Sequence, residues 1–260
     1  MKVVVPVKQV ALLDDEFELL DDGSGVDPDS LEWDLNEWDS FSLEAAVQIK
    51  EAAGEGEVLA VTVGDEEAEE GLLSALAKGA DRGIRVWDED LADAGPLAVA
   101  RVLAAAIEPE SPDLVLCGVQ SSDAVNSATG IALAGYLDLA HVAVVKSIEL
   151  NSGSATVERE LEGGLVEILR IGLPALLTIQ TGINEPRYAT LRAIKQARDK
   201  PLAVMTLSDL GLGADAVEAA DGSHRRRLAH PEKGEGAEML NGSTAEVAAR
   251  IAEIVRERVG

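Results

Sequence analysis

The apolar positions of the first half fall into two alternating rhythms. Residues 3–7 form a short β-branched run, read as a buried strand. An Asp- and Gly-rich loop follows to about Leu35. Residues 42–53 then repeat at helical spacing, with Leu43, Ala46, Val47 and Ile49 setting the period and Gly54 as a stop. Residues 57–63 predict a second strand, 66–78 a helix closed by Gly79, and 83–87 a third strand. Pro96 suits the first turn of a helix over 96–107. A fourth strand over 113–118 and a helix over 123–137 complete the series. Strand and helix alternate four times with apolar strands, the pattern of an α/β doubly wound parallel sheet. Ligands of such sheets sit outside the carboxyl ends of the strands, so the loops after Val7, Val63 and Gly118 carry most information.

Beyond Ala140 the rhythm changes. Residues 142–150, 155–160, 166–171 and 175–181 read as strands, turned by Asn151-Ser152-Gly153 and Gly163-Gly164. They either extend the sheet or form an antiparallel annex. A short helix is predicted over 188–198. Residues 212–238 are rich in Gly, Asp and Ala, include His224-Arg225-Arg226-Arg227, and read as an extended arm. A terminal amphipathic helix over 243–259 has Ser243 or Thr244 as cap, with Glu246 placed to help. The expected organisation is an α/β domain over 1–210 followed by an arm and helix over 211–260.

Composition narrows the function. Apolar residues are 47% of the 260, which allows a sizeable core, but aromatics are 3%, so that core is aliphatic. The single cysteine, Cys117, lies in an apolar run and excludes an internal disulfide and Cys-rich metal centres. His141, His224 and His230 make no ligand pattern. The net charge of −26 argues against nucleic acid and anionic membranes as partners. The acids are spread along the chain, which reads as a surface adapted to high salt. At 1 M the Debye length is roughly 3 Å, so self-repulsion is screened there. No run approaches a membrane span, and the apolar start is short and interrupted by Pro6 and Lys8, so a cytoplasmic protein is expected.

Three segments carry candidate chemistry. The first runs from Gly118 through Gln120, Asp123, Asn126, Ser127, Ala128 and Thr129 to Gly130, from a strand end into a helix. A helix start offers unpaired N–H groups and a positive dipole end, and small residues let a phosphate approach. Ordinary capping by Ser122 or Asp123 explains the residues equally well, since neither a Walker pattern nor GxGxxG is present. The second is Asn36-Glu37-Trp38-Asp39. Asn36 suits a cap, and Trp38 suits either core or the shielding of a bound ring. The third comprises Val157-Glu158-Arg159-Glu160-Leu161-Glu162-Gly163-Gly164, then Leu173-Pro174-Ala175, then Asn184-Glu185-Pro186-Arg187-Tyr188-Ala189-Thr190-Leu191. It holds no nucleophile–base pair, and reads as a docking loop or a turn.

That third stretch resembles the signature region of electron transfer flavoprotein beta subunits. The resemblance extends to Val7-Lys8, Asn36, the run from Ala77 to Arg82, the 118–130 loop and Gly135-Tyr136-Leu137-Asp138, so it spans about residues 1–210. It implies an adenine-nucleotide-binding α/β fold holding AMP, with the active FAD mainly on an alpha subunit. Carried over by position, the AMP pocket involves Pro6, Asn36, Val63, Gly118, Asp123, Asn126, Ser127, Ala128 and Thr129, with Thr129 on the phosphate. The family often reads Asn-Gln-Thr-Gly where this chain has Ser127-Ala128-Thr129-Gly130. A bifurcating branch that holds a second FAD in this pocket tends to read Gln-Val-Gly-Pro, so the loop looks more like the AMP type. A recognition loop for electron-donating dehydrogenases maps to about 187–196, with Arg187, Tyr188 and Lys195 and with Leu191 as apolar anchor. Glu160 matches an acid that steers the mobile flavin domain.

The implied role is that of a redox carrier subunit, not an enzyme, passing electrons from dehydrogenases to a membrane quinone reductase. It needs no acid–base residue here, because the isoalloxazine does the chemistry. Two rivals share the fold class. A nucleotide hydrolase or transferase needs a phosphate loop such as Ser-Gly-Gly-x-Asp-Ser, which is absent. A stress-type nucleotide-binding module leaves 184–191 without a reason.

Overall fold

The computed structural model describes residues 1–12, 17–27, 30–220, 227–230, 234, 236–237 and 239–259. Among them one nine-stranded sheet forms the centre. Its strands are β1 (Lys2–Pro6), β4 (Glu57–Val63), β5 (Arg82–Val86), β6 (Leu114–Gly118), β7 (Ala140–Asn151), β8 (Ser154–Glu160), β9 (Val166–Gly172), β10 (Ala175–Ile179) and β11 (Leu202–Met205), in the order β11-β5-β4-β1-β6-β10-β7-β8-β9. Pairing is parallel from β11 through to β7 and antiparallel from β7 to β9. Helices α1 (Glu37–Ala53) and α2 (Ala68–Lys78) pack on one face. Helices α3 (Pro96–Ile107), α4 (Thr129–Tyr136) and α6 (Ala214–Ala220) pack on the other.

The doubly wound prediction holds because the central strands β1, β4, β6 and β10 are apolar on both faces. In β1, Val3 and Val5 join the core under α1 and α2, while Val4 faces α3. Such strands are stable only when covered on both sides, which is the condition for a parallel sheet. The open alternative beyond Ala140 resolves both ways. β10 enters the parallel sheet between β6 and β7, and β8 and β9 continue it as an antiparallel ribbon. Gly153 (φ 69°) and Gly163 (φ 75°) supply the left-handed residues that the two turns require.

Several boundaries differ from the sequence reading. The Asp-rich loop before Leu35 contains a two-stranded antiparallel ribbon, β2 (Gln9–Leu12) with β3 (Glu32–Leu35). Its halves are 20 residues apart and too short for periodicity to register. The helix expected over 123–137 begins only at Thr129, because Val125 (φ 52°) and Ser127 (φ 50°) are left-handed and break any earlier turn. The helix expected over 188–198 is the seven-residue α5 (Leu191–Ala197), started by Thr190, whose Oγ1 accepts from Ala193 N at 3.2 Å. Strand β11 has no counterpart in the sequence reading; half-exposed, it is an edge strand that among the described residues pairs with β5 alone.

The arm is less separate than its composition implies. Val217 of α6 is buried in the core beside α3, with Leu207, Leu210 and Leu212 around it. Leu228 N donates to Gly23 O at 2.8 Å, and His230 lies 5.7 Å from Phe17, ring to ring. Of the basic run at 224–227, only Arg227 is among the described residues. Helix α7 (Thr244–Val259) starts with a capping box: Glu246 Oε2 accepts from Ser243 N at 2.8 Å, and Ser243 Oγ accepts from Glu246 N at 3.4 Å. Its Ile251 and Val255, four residues apart on one face, are exposed.

Candidate functional site

The sheet order places a switch point. From β1 the chain winds outward through β4 and β5, then α3 returns it to β6 on the other side of β1. The crevice outside the carboxyl ends of β1 and β6 is where such folds hold ligands. Pro6, Val63 and Gly118 are the last residues of β1, β4 and β6, and so gather at this end. Asn36 immediately precedes α1. Asp123, Asn126, Ser127 and Ala128 lie on the loop from β6 to α4, and Thr129 opens α4. The structure therefore brings all nine candidate nucleotide residues to one end of the sheet.

Side chains knit this end together. Asn36 stands at the cap position of α1, yet its side chain does not cap the helix. Its Nδ2 donates to Gln120 O at 2.9 Å, and its Oδ1 accepts from Ser122 N at 3.3 Å. Lys8 Nζ is 2.7 Å from Asp123 Oδ2. Partial burial opposes ionisation of Asp123, but the Lys8 and Ser121 hydrogen bonds outweigh it and hold the carboxyl below its ordinary value. Asp123 thus pairs with Lys8 and does not cap a helix. Ser127 Oγ donates to Gln120 Oε1 at 3.2 Å. No side chain caps the N-terminus of α4, and the loop that carries Asn126 and Ser127 leads directly into it.

Asp39 closes the second candidate segment, where the sequence assigns it no role. It is 6% exposed. Its Oδ2 accepts from Lys8 N at 2.9 Å and its Oδ1 from Gly118 N at 3.2 Å, bridging the ends of β1 and β6. Burial pushes its carboxyl up to about 7, against the hydrogen bonds from Lys8, Asn36 and Gly118 that favour the charge. Gly118 must be glycine here, because a Cβ would fall inside contact distance of Asp39 Oδ1 and 2.8 Å from Trp38 Cβ. A signal existed: Asp39, Ser42, Leu43 and Ala46 follow i, i+3, i+4, i+7, which puts an acid on the buried stripe of α1. Trp38 is half-buried, with its indole N–H donating to Gln180 Oε1 at 3.0 Å. Cys117 is buried beside this bridge; burial and the Asp39 charge raise its thiol far above the ordinary value, so it behaves as core.

The candidate docking residues divide. Tyr188 is 97% exposed and Leu191 81%, with Ile194 exposed beside them. Lys195 is also exposed. Arg187 instead turns inward to α1, where it pairs with Glu44 and Glu51. Glu160 ends β8, 3.4 Å from Lys146 Nζ.

These features define a class: a doubly wound α/β protein with a hydrogen-bonded polar cluster at its switch point and an exposed apolar helix start to one side. The family model for the electron transfer flavoprotein domain matches residues 25–210. The chain is 48% identical over 264 residues to the electron transfer flavoprotein subunit beta of Methylophilus methylotrophus, covering 100% of both chains. It is 34% identical over 244 residues to the Bacillus subtilis subunit, covering 94% of this chain and 93% of that one. Against the human subunit it is 40% identical over 215 residues, covering 82% and 84%. The chain belongs to the electron transfer flavoprotein family, among its beta subunits, and is an electron carrier subunit rather than an enzyme. The family implies FAD in a dimer with an alpha subunit. No helix among the described residues is long and apolar enough to cross a membrane.

Proposed function

We propose that this chain is the beta half of a cytoplasmic heterodimer that takes electrons from dehydrogenases and delivers them to a membrane quinone reductase, with AMP held in the switch-point crevice. The supporting observation is the uncapped start of α4, entered from a loop of small and neutral polar residues. The residues fit a phosphate there. Gly118 and Gly130 let α1 and α4 pack close against the strand ends, since a Cβ at Gly130 would lie 2.8 Å from Thr178 Cγ2. The backbone N–H groups of the first turn and the Thr129 hydroxyl are the donors, and the Ser127 hydroxyl, which donates to Gln120 Oε1, would join them only by giving up that bond. Asn36 and the Lys8–Asp123 pair hold the loop, and Pro6 and Val63 floor the crevice. Asp39 occupies the Lys8 and Gly118 N–H groups, so an anion would be directed outward to α4.

FAD, carried mainly by the alpha subunit, supplies the one-electron and two-electron chemistry of the dimer. This chain contributes position. Tyr188, Leu191 and Lys195 offer a dehydrogenase an apolar anchor with a cation beside it, Glu160 lies on the β8–β9 ribbon as the residue that steers the flavin domain, and Ile251 and Val255 of α7 offer the alpha subunit an apolar stripe. The test is what the chain carries. The full chain expressed alone should release AMP on denaturation and no flavin, and Thr129→Val should lower AMP retention, because losing one hydrogen bond to a charged phosphate costs about 1.5–3 kcal/mol. Stoichiometric FAD on the isolated chain would overturn the AMP assignment in favour of a bifurcating subunit.

A further inference from the structure

The structure uses Arg187 as the centre of a clamp. Its Nε lies 2.7 Å from Glu44 Oε2 and its Nη2 3.0 Å from Glu44 Oε1. On the other side, Nη1 lies 2.8 Å from Glu51 Oε1 and Nη2 3.0 Å from Glu51 Oε2. The Arg187 backbone N–H also donates to Glu44 Oε2, at 3.2 Å. Two carboxylates two helical turns apart on α1 therefore fix one guanidinium in a planar fork, the geometry that holds both position and orientation. Glu44 is 5% exposed and steadied by Gln48 Nε2 at 2.8 Å. Burial opposes its ionisation, but the bonds from Arg187 and Gln48 outweigh this, so the carboxyl lies below its ordinary value. Three residues earlier, Asn184 Nδ2 donates to Phe41 O at 3.0 Å. These hydrogen bonds of Asn184 and Arg187 all run to α1.

Directly after the clamp the chain turns outward to Tyr188 and Leu191, both almost fully solvent-exposed. Large apolar groups so displayed lack packing of their own to hold them, and α5 has only seven residues. A preformed segment binds with less ordering cost than a loose one. The same helix carries Asn36 and Asp39 of the crevice at its start, so the clamp also sets the segment at a fixed distance from the nucleotide site.

We propose that Glu44 and Glu51 are positioning residues for electron delivery: through Arg187 they present Tyr188 and Leu191, already ordered, to the donor dehydrogenase. This rests on the reading of 187–196 as the docking segment. The full chain, paired with its flavin-bearing subunit in molar KCl, is assayed with a dehydrogenase fraction of the source cells that reduces the wild type. Glu44→Gln and Arg187→Met should each raise KM for the heterodimer about tenfold while kcat changes little, and the double variant should equal Arg187→Met alone. Hydrogen exchange over 184–194 should quicken in both. An unchanged KM in variants that merely melt lower, or additive effects in the double, overturns the proposal. Should Glu44→Gln fail to fold, Glu51→Gln on the exposed side of the clamp carries the test, and an unchanged KM there overturns it equally. Leu191→Ala in the same assay separates the layers. If it raises KM and the clamp variants do not, the clamp inference alone fails; if none of them raises KM, the docking reading fails with it.

Discussion

Gly118→Ala is the sharpest perturbation of the crevice. The added methyl meets the Asp39 carboxylate and the Trp38 Cβ, and neither is the free end of a flexible chain. Trp38 is tethered through its indole to Gln180, and Asp39 is held by Lys8 N and Gly118 N. Relief requires α1 to move off β6 or the Asp39–Gly118 hydrogen bond to break. Overpacking of this kind costs about 1–3 kcal/mol, and a lost hydrogen bond to a buried carboxylate about 1.5–3 kcal/mol. A destabilisation of about 3 kcal/mol corresponds to a fall in Tm of about 6–12 °C for a chain of this size. Because the same shift displaces the start of the 119–128 loop, AMP retention should fall in parallel. Gly135→Ala is the control: it lies in α4 with nothing within 4 Å of a built Cβ, and helix propensity favours alanine by about 0.5–1 kcal/mol. Calorimetry of both in molar KCl decides. If Gly118→Ala melts within about 2 °C of the wild type and keeps its nucleotide, the close packing of α1 on Gly118 is not what shapes the crevice.

Leu191→Ala should slow reduction by a partner dehydrogenase at least several-fold, since an apolar anchor commonly carries more than ~1 kcal/mol; the melt and direct reduction by dithionite should be unchanged, and a lower Tm with a normal rate would assign Leu191 to packing. Deleting residues 221–260 keeps Val217 in its core and removes α7; the shortened chain should stay folded and lose its heterodimer partner in gel filtration. Asp39 has a folded pKa of about 7 against an ordinary 3.8, so the folded state binds the extra proton and this group's stabilisation is present at low pH and lost as pH rises toward 7. Urea melts of the wild type should weaken by up to about 1.4 kcal/mol per unit between pH 5 and 7, and Asp39→Asn should abolish that slope; a slope shared by both would exonerate Asp39. The −26 net charge predicts a Tm that climbs steeply from dilute buffer to molar KCl, and a flat profile would remove the high-salt reading while leaving the family untouched.

The chain by itself determined the layering, because burial on two faces writes continuous apolar runs such as 3–5 and 58–61 into the sequence, and helices between them must cover both sides. It also specified the α2 stop at Gly79 and the turn at Gly153, where backbone geometry demands a residue type. Its segment from Asn184 to Leu191 was legible as special, but only through likeness, since nothing in its period distinguishes docking from a turn. Tertiary structure decided the rest. The start of α4 moved from Asp123 to Thr129 because Lys8, 115 residues away, engages Asp123, and left-handed residues at 125 and 127 follow no local propensity. Asp39 and Glu44 look like ordinary helix acids until Gly118 and Arg187 come to meet them. Arg187 reads as one end of a docking loop, and only the fold shows its guanidinium set against two carboxylates of α1. Those outcomes depend on pairs more than 70 residues apart in sequence, and local pattern carries no record of contacts that only a closed sheet brings within hydrogen-bonding distance.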